Sequence, residues 1–176
     1  GCRRAPVRRR AVLAKITPMK KISLLIAGLC FAATVLFAAT PPNIIFILCD
    51  DLGYGDVSAY QSGTLRTPNM DVLANGGLRF TNGYASSATC TPSRYALLTG
   101  TYPWRNQQAK ILPGTAPLII DTAQITLPKM LKAQGYETAV IGKWHLGLGT
   151  GFVYWNQEII PNPNHVGFDF SHILAA

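Results

Sequence analysis

The sequence predicts an α/β fold with a largely parallel sheet, and three observations support this class. Residues 43–49 form an unbroken apolar run, which is typical of a strand buried on both faces. Residues 67–76 and 126–134 have the start and stop signals of helices. Residues 137–141, which follow the second helix and end in Ala-Val-Ile, are predicted to form a second buried strand. Strands that alternate with helices are typical of parallel α/β sheets.

The first predicted strand and helix have clear boundaries. The run NIIFILC ends at Asp50-Asp51, and the turn residues that follow mark the end of a strand. The first predicted helix starts with Thr67 as its N-cap and Pro68 in its first turn, and it stops at Gly76. A short strand is predicted over residues 78–80.

The second helix repeats the same pattern and leads into the second strand. Thr126 is the expected N-cap, Pro128 lies in the first turn and Gly135 marks the stop. Leu127, Met130 and Leu131 form an apolar stripe along this helix. The following strand ends near Gly142, so residues 143–145 fall at the edge of the sheet where ligands of such folds bind.

Composition indicates a globular protein and excludes a basic nucleic-acid-binding face. The chain has 176 residues, of which 48% are apolar and 14% charged, and its net charge is +8. Eight of the 16 basic residues lie in residues 1–21, whereas the first acidic residue is Asp50. The remaining basic residues equal the 8 acidic ones, so the rest of the chain is neutral overall.

The basic N-terminal region is typical of an export signal. Met19 and two lysines precede an apolar run over residues 22–39, which is followed by Pro41-Pro42. We expect residues 19–39 to be a signal peptide, with a retained membrane anchor as the alternative. Residues 1–18 are then an upstream or non-native extension, and residues 40–176 are the folded domain. The expected location is periplasmic or extracellular, with membrane contact only through the signal or anchor.

Two of the four cysteines, Cys49 and Cys90, lie in the predicted domain. An exported protein can join such a pair in a disulfide bond, which is one interpretation of Cys90. Cys49 lies within an apolar run and is most simply a buried small side chain.

Two polar groups follow the predicted strands. Asp50 and Asp51 offer the hard oxygen ligands that suit Ca²⁺ or Mg²⁺, although a solvated turn is the commoner role for such a pair. Two carboxylates do not complete a shell of six to eight ligands.

Lys143 and His145 are two residues apart, so an extended segment would point both to one face. They suit an anion clamp and a proton acceptor, whereas an exposed lysine and a hydrogen-bonded histidine are the simpler interpretation.

The most specific pattern is Cys90-Thr91-Pro92-Ser93-Arg94, followed by YALLTG. This pattern resembles the modification signature of the sulfatase family. Segments 43–53, 67–71, 99–103 and 142–147 also look like family segments in family order. The resemblance covers approximately residues 42–169.

The resemblance implies a formylglycine-dependent sulfate ester hydrolase with an alkaline-phosphatase-like fold. A separate maturation enzyme would oxidise Cys90 to formylglycine, whose hydrate attacks sulfur. Asp50, Asp51 and the modified Cys90 would hold Ca²⁺, with Mg²⁺ as the alternative. Arg94 would brace the hydrate, Lys143 would bind sulfate oxygens, and His145 would accept a proton.

The sequence also departs from the family pattern. The remaining metal ligands, an Asp-Asn pair, are absent after Gly147. We therefore expect an N-terminal portion of a sulfatase with an incomplete sheet, weak metal binding and no activity on its own. The resemblance implies a sulfate ester substrate and leaves small aryl sulfates and sulfated glycans both open, and general candidates for the pocket are Thr91, Tyr102, Trp104 and Arg105.

Two other functions remain open at this point. The same fold supports phosphomonoester or phosphodiester hydrolysis, because related enzymes share the metal-binding edge. A non-catalytic exported protein with a Cys49–Cys90 disulfide is the third hypothesis.

Overall fold

The computed structural model describes residues 40–61 and 65–176. The expected extension over residues 1–18 and the expected signal peptide over residues 19–39 lie outside these ranges. The chain divides into two compact units, Gly1–Leu48 and Cys49–Ala176. In the part of the chain that the structure describes, no helix has the length and apolar character needed to cross a membrane.

Three α-helices lie in the second unit: α1 is Pro68–Gly76, α2 is Cys90–Thr99 and α3 is Leu127–Lys132. Thr126 caps α3, because its side chain accepts the backbone N–H of Lys129 at 3.4 Å. Gly100 ends α2 in the left-handed conformation, with φ of 63°, and donates its N–H to the carbonyl of Ala96. Short 3₁₀ helices span Tyr54–Asp56, Pro103–Arg105 and Pro163–Val166.

The first helix forms as predicted, but its cap differs. Thr67 precedes α1, yet its side chain makes no capping bond to the helix. The Thr67 hydroxyl instead accepts the backbone N–H of Ser58 at 3.0 Å, and the Ser58 hydroxyl donates to the carboxylate of Asp71. The polar side chains at this helix end therefore hold a neighbouring loop.

Two parallel strands form the sheet of the described residues. Strand β1 is Ala139–Lys143 and β2 is Phe170–Leu174, and the register runs from Ala139 opposite Phe170 to Lys143 opposite Leu174. The predicted strand over residues 137–141 is confirmed with a shift of two residues. Strand β2 was not among the predicted strands, although its run FSHIL contains the aromatic and β-branched residues typical of a strand.

The core surrounds the segment that leaves β1. Trp144 is 2% exposed, Leu146 is completely buried, and Tyr95 of α2 lies in the same apolar cluster. Phe168 meets Trp144 edge to face with ring centroids 6.4 Å apart. The indole N–H of Trp144 donates to the carbonyl of Gly147 at 2.8 Å. This packing fixes the backbone on both sides of His145.

The strands predicted over residues 43–49 and 78–80 are wrong in this structure. Neither segment has strand structure, and Ile45 and Leu78 are 83% and 79% exposed. Cys49, predicted as a buried side chain, is exposed as well. A strand needs a neighbour for its backbone N–H and C=O groups, and among the described residues only β1 and β2 pair with each other.

Candidate functional site

The first residue of α2 is Cys90, the position that the signature singles out. Its thiol is free and partly exposed, whereas Thr91 and Pro92 behind it are buried. Pro92 tolerates this place because a residue in the first turn has no intrahelical partner for an N–H. The N–H groups of the first turn and the helix dipole therefore make the surroundings of Cys90 favourable for an anion.

One turn further along α2, Arg94 joins the end of β1 to Asp50. One guanidinium nitrogen donates to the backbone carbonyl of Lys143 at 2.8 Å, and the other lies 3.0 Å from Oδ1 of Asp50. The Lys143 ammonium lies 2.7 Å from Oδ2 of the same carboxylate. Arg94, Lys143 and Asp50 are thus brought together at the carboxyl end of β1.

The charges of this cluster stabilise one another. Hydrogen bonds from Lys143 and then Arg94 hold the pKa of Asp50 below its usual value. The hydrogen bond to Asp50 is the main cause that raises the pKa of Lys143.

His145 lies apart from the ion pairs, in a buried position. Strand β1 ends at Lys143, and His145 has a left-handed backbone with φ of 51°. The extended geometry that would point both side chains to one face therefore does not extend to His145. Its ring nitrogen Nε2 donates to the carbonyl of Leu112 at 2.7 Å, and its backbone carbonyl accepts the hydroxyl of Thr91 at 2.7 Å.

Asp51 is exposed, with φ of 57°, and does not join the cluster of Asp50. The carboxylate oxygens of Asp50 and Asp51 are the type of ligand that hard cations such as Ca²⁺ and Mg²⁺ prefer. However, both oxygens of Asp50 already meet cations, and in the described ranges no three His, Cys, Asp or Glu side chains gather as a metal site would require. The residues present thus fit part of a Ca²⁺ or Mg²⁺ shell.

The structure contradicts the prediction that Thr91 lines the substrate pocket. This residue is completely buried, so it cannot line an open pocket for a leaving group. Tyr102 and Trp104 are exposed and stacked with centroids 4.1 Å apart, and Arg105 is exposed beside them. The backbone carbonyl of Leu112 accepts the hydrogen bond of the His145 ring. Because every residue has such a carbonyl, the sequence could not identify this partner.

The fold and the site together define an alkaline-phosphatase-like α/β domain with a cysteine at a cationic sheet edge. The sequence model of the Sulfatase family matches residues 42–171, so the chain belongs to the sulfatase family.

Similar proteins support the same family. The chain is 54% identical over 136 residues to N-acetylgalactosamine-6-O-sulfatase of Bacteroides thetaiotaomicron, covering 77% of this chain and 27% of that protein. It is 44% identical over 144 residues to human steryl-sulfatase, covering 78% and 24%. A solved structure from work on glycosaminoglycan metabolism by Bacteroides thetaiotaomicron has 52% identity and a TM-score of 0.77, covering 78% and 29%. The chain thus spans about a quarter of the length of these relatives.

These findings do not favour the other two hypotheses. The matches are sulfatases by name, which gives no support to phosphoester hydrolysis. Cys49 and Cys90 are both free thiols in the structure, which gives none to a disulfide between them.

Proposed function

We propose that this chain carries part of the active site of a sulfate ester hydrolase that uses a formylglycine made from Cys90. The observation that carries the proposal is the convergence of Arg94 and Lys143 on Asp50, next to the helix start that presents Cys90. Two cations at Asp50 and a helix N-terminus at Cys90 are groups suited to an anion such as a sulfate ester.

The two cations have different roles in this proposal. Arg94 has a side chain only 11% exposed, and its bond to the Lys143 carbonyl fixes its orientation. We assign it to brace the hydrated aldehyde, since its donors form a rigid fork. The Lys143 side chain is 30% exposed and flexible, so its ammonium can turn from Asp50 to the sulfate oxygens.

The reaction uses the two hydroxyls of the hydrated aldehyde. One hydroxyl oxygen attacks sulfur, the bond between sulfur and the ester oxygen breaks, and the alcohol leaves with the proton that the attacking hydroxyl gives up. His145 then takes the proton of the second hydroxyl, the aldehyde C=O re-forms and sulfate departs. Addition of water to the aldehyde restores the hydrate. A serine at this position would lack the second hydroxyl and would remain sulfated.

Asp50 and Asp51, with the oxygen of the modified Cys90, are the residues that would hold a divalent cation, which we assign as Ca²⁺ with Mg²⁺ as the alternative. When bound, the cation would neutralise charge on the sulfate and favour ionisation of the attacking hydroxyl. Asp50 must release one or both of its present partners, Arg94 and Lys143, to contribute.

The substrate class that we propose is a sulfate ester, most simply on a glycan. Support comes from the name of the relative at 54% identity, which acts on an amino sugar sulfate. The relative at 44% identity is named steryl-sulfatase, so similarity over this region does not by itself specify a glycan as the leaving group. Export to the periplasm or cell exterior and maturation by a formylglycine-generating enzyme belong to the same proposal.

The test is mass spectrometry of tryptic peptides after expression from the complete coding sequence with a formylglycine-generating system. The peptide that ends at Arg94 contains Cys90, and Cys49 in a separate peptide is the internal control. We expect an aldehyde at Cys90 and a thiol at Cys49. A thiol at Cys90, or a disulfide between the two, would overturn the proposal. Hydrolysis of an aryl sulfate but not of the matching phosphate ester would then establish the reaction.

A further inference from the structure

We propose that Thr91 is a positioning residue whose hydroxyl holds the backbone of His145, so that Nδ1 is the ring nitrogen left for proton transfer. The Thr91 hydroxyl donates to the His145 carbonyl at 2.7 Å, although 54 residues separate the two. The catalytic meaning of this contact rests on the proposed function, whereas the contact itself can be tested without turnover.

The backbone of His145 is in a conformation that needs support. Its φ of 51° is in the left-handed region, which is unfavourable for a residue with a Cβ and persists only where the surroundings enforce it. Three bonds do so here. The N–H of His145 donates to the carbonyl of Ala175 at 3.0 Å, its carbonyl accepts from Thr91, and its ring is bonded to Leu112.

The ring contact fixes the proton of the imidazole. The Leu112 carbonyl can only accept a hydrogen bond, so Nε2 of His145 carries the hydrogen and the neutral ring has its lone pair on Nδ1. His145 is 7% exposed, and its Nδ1 is a buried atom with no hydrogen-bond partner within the described residues. A buried polar atom without a partner is costly, which indicates a position reserved for a group that arrives with substrate or modification.

Thr91 is the side chain that links this histidine to the reacting residue. It follows Cys90 directly in α2 and is completely buried, so its own position is fixed by packing. Of the three bonds that hold His145, the other two come from backbone carbonyls. Thr91 is therefore the member of this set that a substitution can remove.

The first experiment measures the histidine directly, in protein labelled with ¹⁵N-histidine at a pH where the ring is neutral. Thr91→Val removes the hydroxyl at nearly constant volume, and Thr91→Ser retains it. Thr138→Val is the matched control, because Thr138 is also buried and donates to a distant carbonyl, that of Gly167 at 2.9 Å. A His145→Asn variant identifies the His145 signals.

We expect the Nε2–H form of His145 in wild type, Thr91→Ser and Thr138→Val. In Thr91→Val we expect a mixture of both tautomers and about tenfold faster exchange of the His145 amide hydrogen. An unchanged tautomer and unchanged exchange in Thr91→Val would overturn the positioning role, whatever the protein catalyses.

The second experiment measures turnover of an aryl sulfate per mole of aldehyde at Cys90, in protein expressed from the complete coding sequence with a formylglycine-generating system. We expect kcat to fall about tenfold in Thr91→Val with KM within about twofold, and Thr91→Ser to restore kcat. Thr138→Val should retain kcat despite a comparable loss of stability. A tautomer change without loss of kcat would overturn the catalytic meaning of the contact. Wild-type protein that carries the aldehyde but does not hydrolyse sulfate esters would instead overturn the proposed function.

Discussion

The ammonium of Lys143 lies 2.7 Å from Oδ2 of Asp50, although 93 residues separate them in the chain. Arg94 occupies the other oxygen of the same carboxylate at 3.0 Å. Three family segments thus meet through one acidic side chain at the carboxyl end of β1. Since two cations share this anion, Asp50 helps to fix the orientation of both the Arg94 and the Lys143 side chains.

Substitution of Asp50 by Asn should destabilise the fold modestly. The amide cannot neutralise Arg94, whose side chain is 11% exposed, so a nearly buried cation loses its partner. Because Asp50 itself is 36% exposed, solvent screening limits the expected loss to about 0.5–1 kcal/mol in the free energy of unfolding. Urea denaturation measures it. Asp51→Asn is the control, and an equal loss in both variants would contradict the role of Asp50.

Arg94→Lys should not behave as a conservative change. An ammonium cannot donate in the same fork to the Lys143 carbonyl and the Asp50 carboxylate. We expect about 1–2 kcal/mol lower stability, since one or both bonds of a nearly buried group are lost. Chemical denaturation checks this value against Arg105→Lys, which changes an exposed arginine. Similar losses in the two variants would argue against the bidentate contact.

Local signals predicted two of the three described helices. Thr67 and Pro68 before α1, Thr126 and Pro128 at the start of α3 and the glycines near the ends of both helices act within a few residues, so they can be read from the sequence alone. The signature singled out Cys90 and Arg94 but did not predict helix α2, and the structure places both on that helix and brings Arg94, Lys143 and Asp50 together.

Features that depend on distant partners escaped prediction. The run over residues 43–49 has strand composition but no strand beside it among the described residues, so composition alone misled. Strand β2 forms because β1 offers it a parallel partner. The burial of Thr91 depends on a carbonyl 54 residues away, and the Leu112 contact depends on a backbone atom that every residue has.

Asp169 should make the stability of the protein depend on acid pH. Its carboxylate accepts from Lys132 at 2.6 Å and from the backbone N–H of Thr138 at 2.9 Å, and these bonds, that of Lys132 first, lower its pKa from the ordinary value of 3.8. A carboxyl with a lowered pKa in the folded state stabilises the fold above the unfolded pKa. This contribution disappears as pH falls below 3.8 and through the folded pKa.

Comparison with Asp169→Asn isolates this contribution, because other carboxyls titrate in both proteins. The difference between the two urea midpoints should be largest at about pH 5 and above, and should shrink as pH falls toward about 2.5. A difference that stays constant over this range would mean that the charge of Asp169 does not contribute.

Gly147→Ala should disrupt the segment that carries His145. Gly147 has φ of 79°, and a Cβ there would lie 1.8 Å from the carbonyl oxygen of Pro117 and 2.4 Å from its carbon. Because both are backbone atoms, the clash cannot be relieved by a side-chain rotation, and we expect a loss of about 3 kcal/mol or more.

Gly142→Ala is the matched control, since Gly142 has φ of 104° and open space within 4 Å. It should cost only about 1–2 kcal/mol from backbone strain. Thermal and urea denaturation of both variants decide the question: equal losses would show that backbone conformation alone, and not the approach of Pro117, requires glycine at residue 147.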